Sequence, residues 1–150
     1  MSRFPQDFRL ISYLSKLEHA VRFPLSSSYP ESMSLNQLFV LAGEQHRQPV
    51  LEAILDYPPL RGTPELLAAI AATYDRATAE NIISFAGADE AIYASFHALL
   101  EADDHAIVIT PNYQSLESVA MSRCAVTGVA LDADQGWALD VAEIRAAAPA

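Results

Sequence analysis

The residues most able to bind a ligand are Gly87, Ala88, Asp89 and Glu90, at a predicted turn between a strand and a helix. A strand that ends at a glycine and leads directly into a helix points the first backbone N–H groups of that helix at a common point. The positive end of the helix dipole favours an anion there, and a phosphate-bearing cofactor is the obvious candidate. The alternative is a tight turn without a ligand, in which Asp89 and Glu90 complement the helix dipole.

The sequence lacks the patterns of several other chemistries. Neither a dinucleotide-binding G-x-G-x-x-G nor a P-loop occurs, and there is no G-x-S-x-G typical of hydrolases. The four histidines have no metal-ligand spacing, so no metal site is expected. Cys124 is the only cysteine, so no internal disulfide can form, and a reduced, cytoplasmic setting is the expectation.

The segments around the glycine turn predict a βαβ unit. Residues 82–85 and 106–110 are short apolar runs, bounded by turn residues, that are typical of buried strands. Between them lie apolar residues at helical spacing, Ile92, Phe96, Leu99 and Leu100. We expect the two strands to be parallel and the helix to connect them.

The remaining pattern is helical at first and then alternates. Helices are predicted at 7–22, after Ser34, from Thr63-Pro64, at 115–122 and at 141–148, with a strand at 125–131. Ser34, Thr63 and Asp140 are the expected N-caps, because their side-chain oxygens can accept from first-turn N–H groups. Strands that alternate with helices are typical of an α/β fold with a mainly parallel sheet.

Composition limits the partners. A net charge of −10 and a pI near 4.6 argue against nucleic acid or an anionic membrane. No apolar run is long enough to span a bilayer, and charged residues interrupt the first thirty positions, so no signal peptide is expected. The chain ends in Ala-Pro-Ala without a docked terminal element, so we expect a cut chain that associates through exposed apolar surface.

Four motifs follow one another along the chain: Tyr57-Pro58 with Gly62, then Gly87-Ala88-Asp89-Glu90-Ala91-Ile92, then Pro111-Asn112-Tyr113, then Gly136-Trp137 with Leu139-Asp140. Their order and spacing resemble the N-terminal portion of class I/II pyridoxal-phosphate-dependent aminotransferases of the aspartate aminotransferase fold, over residues 25–148. The resemblance implies an N-terminal helical arm and substrate-side loop at 1–56. It places the first part of the large cofactor-binding domain, with its mainly parallel, helix-flanked sheet, at 57–150.

The resemblance implies pyridoxal 5'-phosphate as cofactor and assigns residues to it. Ala88 and Asp89 correspond to the turn whose backbone amides hold the phosphate. Because the Asp89 carboxylate would repel phosphate, it is given a backbone role only. Tyr113 corresponds to the aromatic residue that stacks on the pyridine ring. Tyr57 corresponds to the tyrosine that reaches the phosphate in the other subunit, which implies a homodimer with shared active sites.

Two positions depart from the family pattern. The family usually has Gly-x-Pro near the substrate carboxylate, where this chain has Ser28, Tyr29 and Pro30, so Ser28 and Tyr29 are the expected substrate-binding residues. Lys16 is the only lysine and matches no Schiff-base position, since that lysine lies well downstream in the family. No catalytic residue is therefore expected in this chain, which is predicted to be inactive alone.

The leading hypothesis is the N-terminal part of an aminotransferase that exchanges an amino group between an amino acid and a 2-oxo acid. Alternatives within the same fold are a pyridoxal-phosphate-dependent lyase, decarboxylase or deaminating oxidase. A non-catalytic, transaminase-like binding or regulatory protein is a further alternative, and an unrelated α/β phosphate-binding module is the last.

Overall fold

The computed structural model describes residues 8–17, 20–23, 25 and 29–148. Within these residues the elements are α1 (Arg9–Leu17), α2 (Leu35–Ala42), α3 (Arg47–Leu51), α4 (Pro64–Ala71), α5 (Ala88–Leu99), β1 (His105–Thr110), α6 (Gln114–Arg123), β2 (Ala125–Ala130) and α7 (Val141–Ala147). The predicted α/β fold class is confirmed, although α3 was not predicted. The chain divides into two compact units: the second, Phe23–Ser84, contains α2, α3 and α4, and the first contains the other elements.

The sheet of the first unit is a parallel pair of strands joined by α6. Its register runs from His105 opposite Ala125 to Thr110 opposite Ala130. Val108 and Val129 are both buried, and since Val129 pairs with Ile109 rather than with Val108, they lie on opposite faces of the sheet. Burial on both faces is typical of a parallel sheet. The predicted strands at 106–110 and 125–131 are confirmed to within a residue at their ends.

The predicted strand at 82–85 is wrong. Within the described residues the sheet has only two strands, β1 and β2, and residues 82–84 lie against the Arg61 turn of the second unit. The Ser84 N–H and hydroxyl both donate to the Arg61 carbonyl at 3.0 Å, while the Arg61 guanidinium donates to the Ile82 carbonyl at 2.9 Å. An extended segment becomes a strand only when a neighbouring strand pairs with its backbone. The βαβ unit is therefore β1–α6–β2, one strand later than predicted.

Helix α6 packs on the sheet through small side chains. Its buried residues are Ser115, Ser118, Val119 and Ala120. Ser115, Ser118 and Val119 are spaced three and four apart and so share one face of the helix. At the last turn of α6 the Arg123 guanidinium donates to the Leu100 carbonyl at 2.9 and 3.2 Å, which satisfies a carbonyl group just past the end of α5.

Helix α5 forms where the apolar spacing predicts a helix, but one residue of its predicted apolar face is exposed. Ile92 and Phe96 are half-buried, whereas Leu99 is 75% exposed. Periodicity places a side chain on a face of a helix without deciding whether another element covers that face. The assignment of Leu99 to a buried face was therefore wrong.

Helices α2 and α4 of the second unit begin where the capping residues predict. Ser34 accepts from the Gln37 N–H at 3.2 Å, and the Gln37 side chain accepts from the Ser34 N–H at 2.7 Å, which completes a capping box before α2. Thr63 accepts from the Leu66 N–H at 3.3 Å, with Pro64 at the first position of α4. In the first unit Asp140 caps α7 through the Ala142 N–H at 2.7 Å. All three predicted N-caps are confirmed.

Gly62 occupies a position that only glycine fits. Its φ is +115°, and a Cβ there would lie 2.7 Å from the Ser84 hydroxyl oxygen. We predict that Gly62→Ala destabilises the second unit by about 1–3 kcal/mol, because it adds backbone strain and a steric clash. The measurement is hydrogen exchange at the amides of α4, which should become roughly tenfold faster.

Gly128→Ala is the matched control. Its φ lies outside the positive range, and a Cβ there would make ordinary contact with Thr110 at 3.6 Å. We expect its effect on stability to stay within about 1 kcal/mol. Equal exchange rates in the two variants would contradict the strain argument.

The second unit exposes large apolar side chains between α3 and α4. Ile54, Leu55 and Leu60 are each at least 89% exposed. Because clustered exposed apolar surface favours association, we predict that the isolated chain self-associates. Sedimentation velocity should show species larger than the 16.3 kDa chain, and Leu55→Glu combined with Leu60→Glu should shift the distribution toward monomer. A clean monomer with a sharp, cooperative thermal transition would contradict this prediction.

Candidate functional site

The start of α5 lies close to the end of β1. The 12 residues of α5 span about 18 Å and the 6 residues of β1 about 20 Å. Residues 100–104 join the two elements, and Asp89 in the first turn of α5 accepts at 3.1 Å from Tyr113, three residues after the end of β1. The first turn of α5 therefore lies near the carboxyl end of β1. This edge is where ligands bind in open α/β sheets.

The first turn of α5 offers free backbone donors. The first backbone hydrogen bond of the helix runs from the Ala91 N–H to the Gly87 carbonyl at 3.2 Å. The N–H groups of Ala88, Asp89 and Glu90 precede it and have no acceptor inside the helix. Gly87, the N-cap, has no side chain to accept from them. The helix start predicted after Gly87 is confirmed, although no strand precedes it in the described part of the chain, and the three N–H groups suit an anion.

Gly87 also leaves space in front of these donors. Its φ is +152°, a conformation that favours glycine, and a Cβ built there would meet no heavy atom within 4 Å. A ligand can therefore approach the backbone closely at this point. A side chain at position 87 would both strain the turn and occupy part of that space.

The two acidic side chains of the first turn bond elsewhere. Glu90 Oε2 accepts from the Ala86 N–H at 2.6 Å, one residue before the N-cap. Asp89 Oδ2 accepts from the Tyr113 hydroxyl at 3.1 Å. Both carboxylates complement the positive end of the helix dipole. Neither of these two hydrogen bonds uses a first-turn N–H group of α5.

Tyr113 is the second component of the site. It follows β1 through a cis peptide bond between Thr110 and Pro111, and it is the N-cap residue of α6. Its side chain is 40% exposed. The hydrogen bond to Asp89 raises the pKa of the Tyr113 phenol, because an ionised phenol would face the negative carboxylate. The hydroxyl is therefore a neutral donor at physiological pH.

The structure thus brings together three of the residues predicted from sequence: Ala88, Asp89 and Tyr113. The contact between the Asp89 side chain and Tyr113 was missed, since the sequence assigned Asp89 a backbone role only. The two residues are 24 positions apart, and no local pattern links them. Only the order of strand and helix could have indicated that they meet.

The other predicted site residues lie in the second unit or outside the described residues. Tyr57 lies in an irregular segment between α3 and α4 and is 98% exposed, with its own N–H bonded to the Asp56 carboxylate at 2.7 Å. Tyr29 is 58% exposed. Ser28 lies outside the described residues.

Other types of site were sought in the same residues. The described residues contain no group of three or more His, Cys, Asp or Glu side chains that could hold a metal ion. Among the helices assigned there, none has the length and apolar character needed to cross a bilayer.

The donor set at the start of α5 fits a phosphorylated aromatic cofactor. Backbone N–H groups, open space at Gly87 and the helix dipole suit a phosphate group. An exposed tyrosine ring tied to the same turn suits a planar ring system. Pyridoxal 5'-phosphate combines these two chemical features.

Comparisons with known proteins point in the same direction. The family model described as aminotransferase class I and II matches residues 34–149. A pyridoxal-phosphate-dependent aminotransferase from Streptococcus suis superposes with a TM-score of 0.82 at 24% identity, over 90% of this chain and 37% of that one. No curated protein sequence matches the chain.

Two further solved structures share more of the sequence. YbdL from Escherichia coli, whose structure was described with a methionine aminotransferase function, superposes with a TM-score of 0.71 at 28% identity, over 99% of this chain and 39% of that one. N-succinyldiaminopimelate aminotransferase from Mycobacterium tuberculosis gives 0.75 at 27%, over 93% and 38%.

This chain spans less than two fifths of the length of each of these three proteins. The family match covers most of the chain and includes the α5 turn, Tyr113 and the Gly136-Trp137 segment. It therefore excludes an unrelated phosphate-binding module. The chain belongs to the class I and II aminotransferase family.

Proposed function

We propose that this chain forms two parts of a pyridoxal-phosphate-dependent aminotransferase that exchanges an amino group between an amino acid and a 2-oxo acid. They are the phosphate-binding turn, at Ala88 and Asp89, and the ring-stacking wall, which is the side chain of Tyr113. One observation carries the proposal. The first-turn N–H groups of α5, which have no side-chain cap, lie close to Tyr113, because the Tyr113 hydroxyl donates to Asp89 in that turn at 3.1 Å. Family membership supports the class of reaction.

In this proposal the N–H groups of Ala88 and Asp89 donate to the cofactor phosphate. The chain carries a net charge of −10, so attraction of the phosphate must come from local donors rather than from the overall field. The aligned peptide dipoles of α5 supply a local positive potential, and charge-assisted hydrogen bonds to a phosphate oxygen are stronger than neutral ones.

Tyr113 fixes the plane of the cofactor ring and covers one of its faces. A tyrosine ring stacks well on a planar heteroaromatic ring, and covering one face excludes water from it. The cofactor, when bound, supplies an electron sink for negative charge at the α-carbon of the amino acid. The role of this chain is therefore to bind and orient the cofactor.

Tyr57, Ser28 and Tyr29 extend the proposal to the partner subunit and the substrate. An exposed tyrosine such as Tyr57 is suited to donate its hydroxyl to a phosphate held by the other copy in a homodimer with shared active sites. Ser28 and Tyr29 are proposed to lie near the substrate carboxylate.

We propose a cytoplasmic setting, in keeping with a single cysteine.

The lysine content of this chain bears on whether it can attach the cofactor covalently by itself. Lys16, the only lysine, lies in α1 and is exposed. Covalent attachment of the cofactor is proposed to need a lysine from outside this chain, so the chain alone binds cofactor without turnover. The same observation favours one second candidate, a non-catalytic binding protein of this fold.

We predict that Tyr113→Ala weakens binding of pyridoxal 5'-phosphate about tenfold, because the stacking surface is lost. Tyr93→Ala is the matched control: Tyr93 is also an exposed tyrosine, but it stacks on His97 in the middle of α5. The measurement is cofactor binding followed by quenching of the fluorescence of Trp137, the only tryptophan. Equal losses in the two variants would contradict the proposed wall.

Comparing pyridoxal with pyridoxal 5'-phosphate tests the turn separately. We expect the phosphorylated form to bind at least tenfold more tightly, since the α5 donors interact only with the phosphate. Gly87→Val should remove most of that preference while leaving pyridoxal binding unchanged. If both forms bind equally to the unmodified chain, the phosphate site does not exist.

Borohydride reduction separates the two candidate functions. Mass analysis of the polypeptide from its source cell, after reduction with cofactor, should place the label on a lysine other than Lys16 if the protein is an aminotransferase. Absence of any labelled lysine would support the non-catalytic candidate instead.

A further inference from the structure

The Asp89 side chain poses a problem at a site proposed to bind a phosphate. It lies in the first turn of α5, at the residue after Ala88, where its own N–H is a candidate phosphate donor. A negative carboxylate beside a phosphate is electrostatically unfavourable. An acidic residue at this position therefore needs a compensating role, and its hydrogen bond to Tyr113 supplies one.

The Tyr113 ring needs an additional constraint to hold one orientation. It is 40% exposed and lies on the connection between β1 and α6, so packing covers only part of it. Its hydroxyl is the end of the side chain farthest from the backbone, and fixing that end limits rotation about both side-chain torsions. Asp89 Oδ2 accepts from this hydroxyl at 3.1 Å.

The backbone on both sides of this contact is held in place. On the α5 side the Glu90 carboxylate accepts from the Ala86 N–H at 2.6 Å, across the N-cap. On the Tyr113 side the Asn112 side chain donates to the Ile109 carbonyl, and the Leu116 N–H donates to the Tyr113 carbonyl at 3.0 Å. The Asp89–Tyr113 hydrogen bond therefore connects two ordered helix starts.

We propose that Asp89 is a positioning residue whose carboxylate, by accepting from the Tyr113 hydroxyl, holds the Tyr113 ring against the first turn of α5 and so sets the distance between the phosphate donors and the stacking wall. The proposal rests on the proposed cofactor site and adds a side-chain role to a residue assigned only through its backbone. Tyr113 is the residue that contacts the cofactor ring, and Asp89 acts through it.

Two substitutions at Asp89 separate the hydrogen bond from the charge. Asp89→Asn and Asp89→Ala remove the same negative charge, but Asn keeps a side-chain oxygen that can accept from Tyr113. Asp89→Asn should therefore bind pyridoxal 5'-phosphate at least as tightly as the unmodified chain. Asp89→Ala should bind it about fivefold more weakly than Asp89→Asn does, which is the typical effect of one lost hydrogen bond.

Tyr113→Phe removes the hydrogen bond from the other side. In the Tyr113→Phe background the difference between Asp89→Asn and Asp89→Ala should disappear, because the hydroxyl that distinguishes them is gone. Glu90→Gln is the matched control for charge in the same turn, and it should leave the response to Tyr113→Phe unchanged. Equal affinities of Asp89→Asn and Asp89→Ala in the Tyr113 background would overturn the proposal.

A titration without cofactor keeps this test independent of the proposed function. The pKa of Tyr113, obtained from the difference in tyrosinate absorbance between the unmodified chain and Tyr113→Phe, should fall in Asp89→Ala and in Asp89→Asn, because a negative neighbour has been removed. An unchanged pKa would overturn the Asp89–Tyr113 contact. A lowered pKa in a chain that does not bind the cofactor would support the contact and refute the cofactor site instead.

Discussion

The candidate site depends on the direction of one helix relative to one strand. Asp89, in the first turn of α5, accepts from Tyr113, which lies three residues after β1 ends, so the amino end of the helix lies near the carboxyl end of the strand. The parallel pairing of β1 with β2 then sends α6 back across the sheet from that same edge. The starts of α5 and α6 therefore meet at this edge, where the Tyr113 hydroxyl donates to Asp89 Oδ2 at 3.1 Å.

Local electrostatics at this edge oppose the overall charge of the molecule. The chain is strongly acidic, and two of its carboxylates, those of Asp89 and Glu90, lie in the turn proposed to hold a phosphate. The structure resolves this conflict by giving each carboxylate its own donor, the Tyr113 hydroxyl and the Ala86 N–H. The first-turn N–H groups of α5 remain available to an anion, and the helix dipole favours an anion at that short distance.

The second unit is organised by a different constraint. Gly62 permits a left-handed turn against Ser84, and the Arg61 side chain and carbonyl satisfy the backbone of the 79–84 segment. The connection between α3 and α4, which carries Tyr57, has nearly fully exposed apolar side chains. Such a surface is typical of a region that another part of a protein covers, and it agrees with the proposed role of Tyr57 between two copies.

Sequence by itself determined the local features of this protein. The capping residues Ser34, Thr63 and Asp140, the glycine turn before α5 and the strands β1 and β2 were all predicted, because each depends on residues within a few positions of one another. The motif order gave the family, which the match over residues 34–149 confirms. Only the tertiary structure decided that Ile82 and Ser84 bond to Arg61 where a strand was predicted, that Leu99 stays exposed, and that the Asp89 carboxylate meets Tyr113. Each of these depends on which distant segment lies nearby, and a residue pattern within one segment carries no information about its neighbours in space.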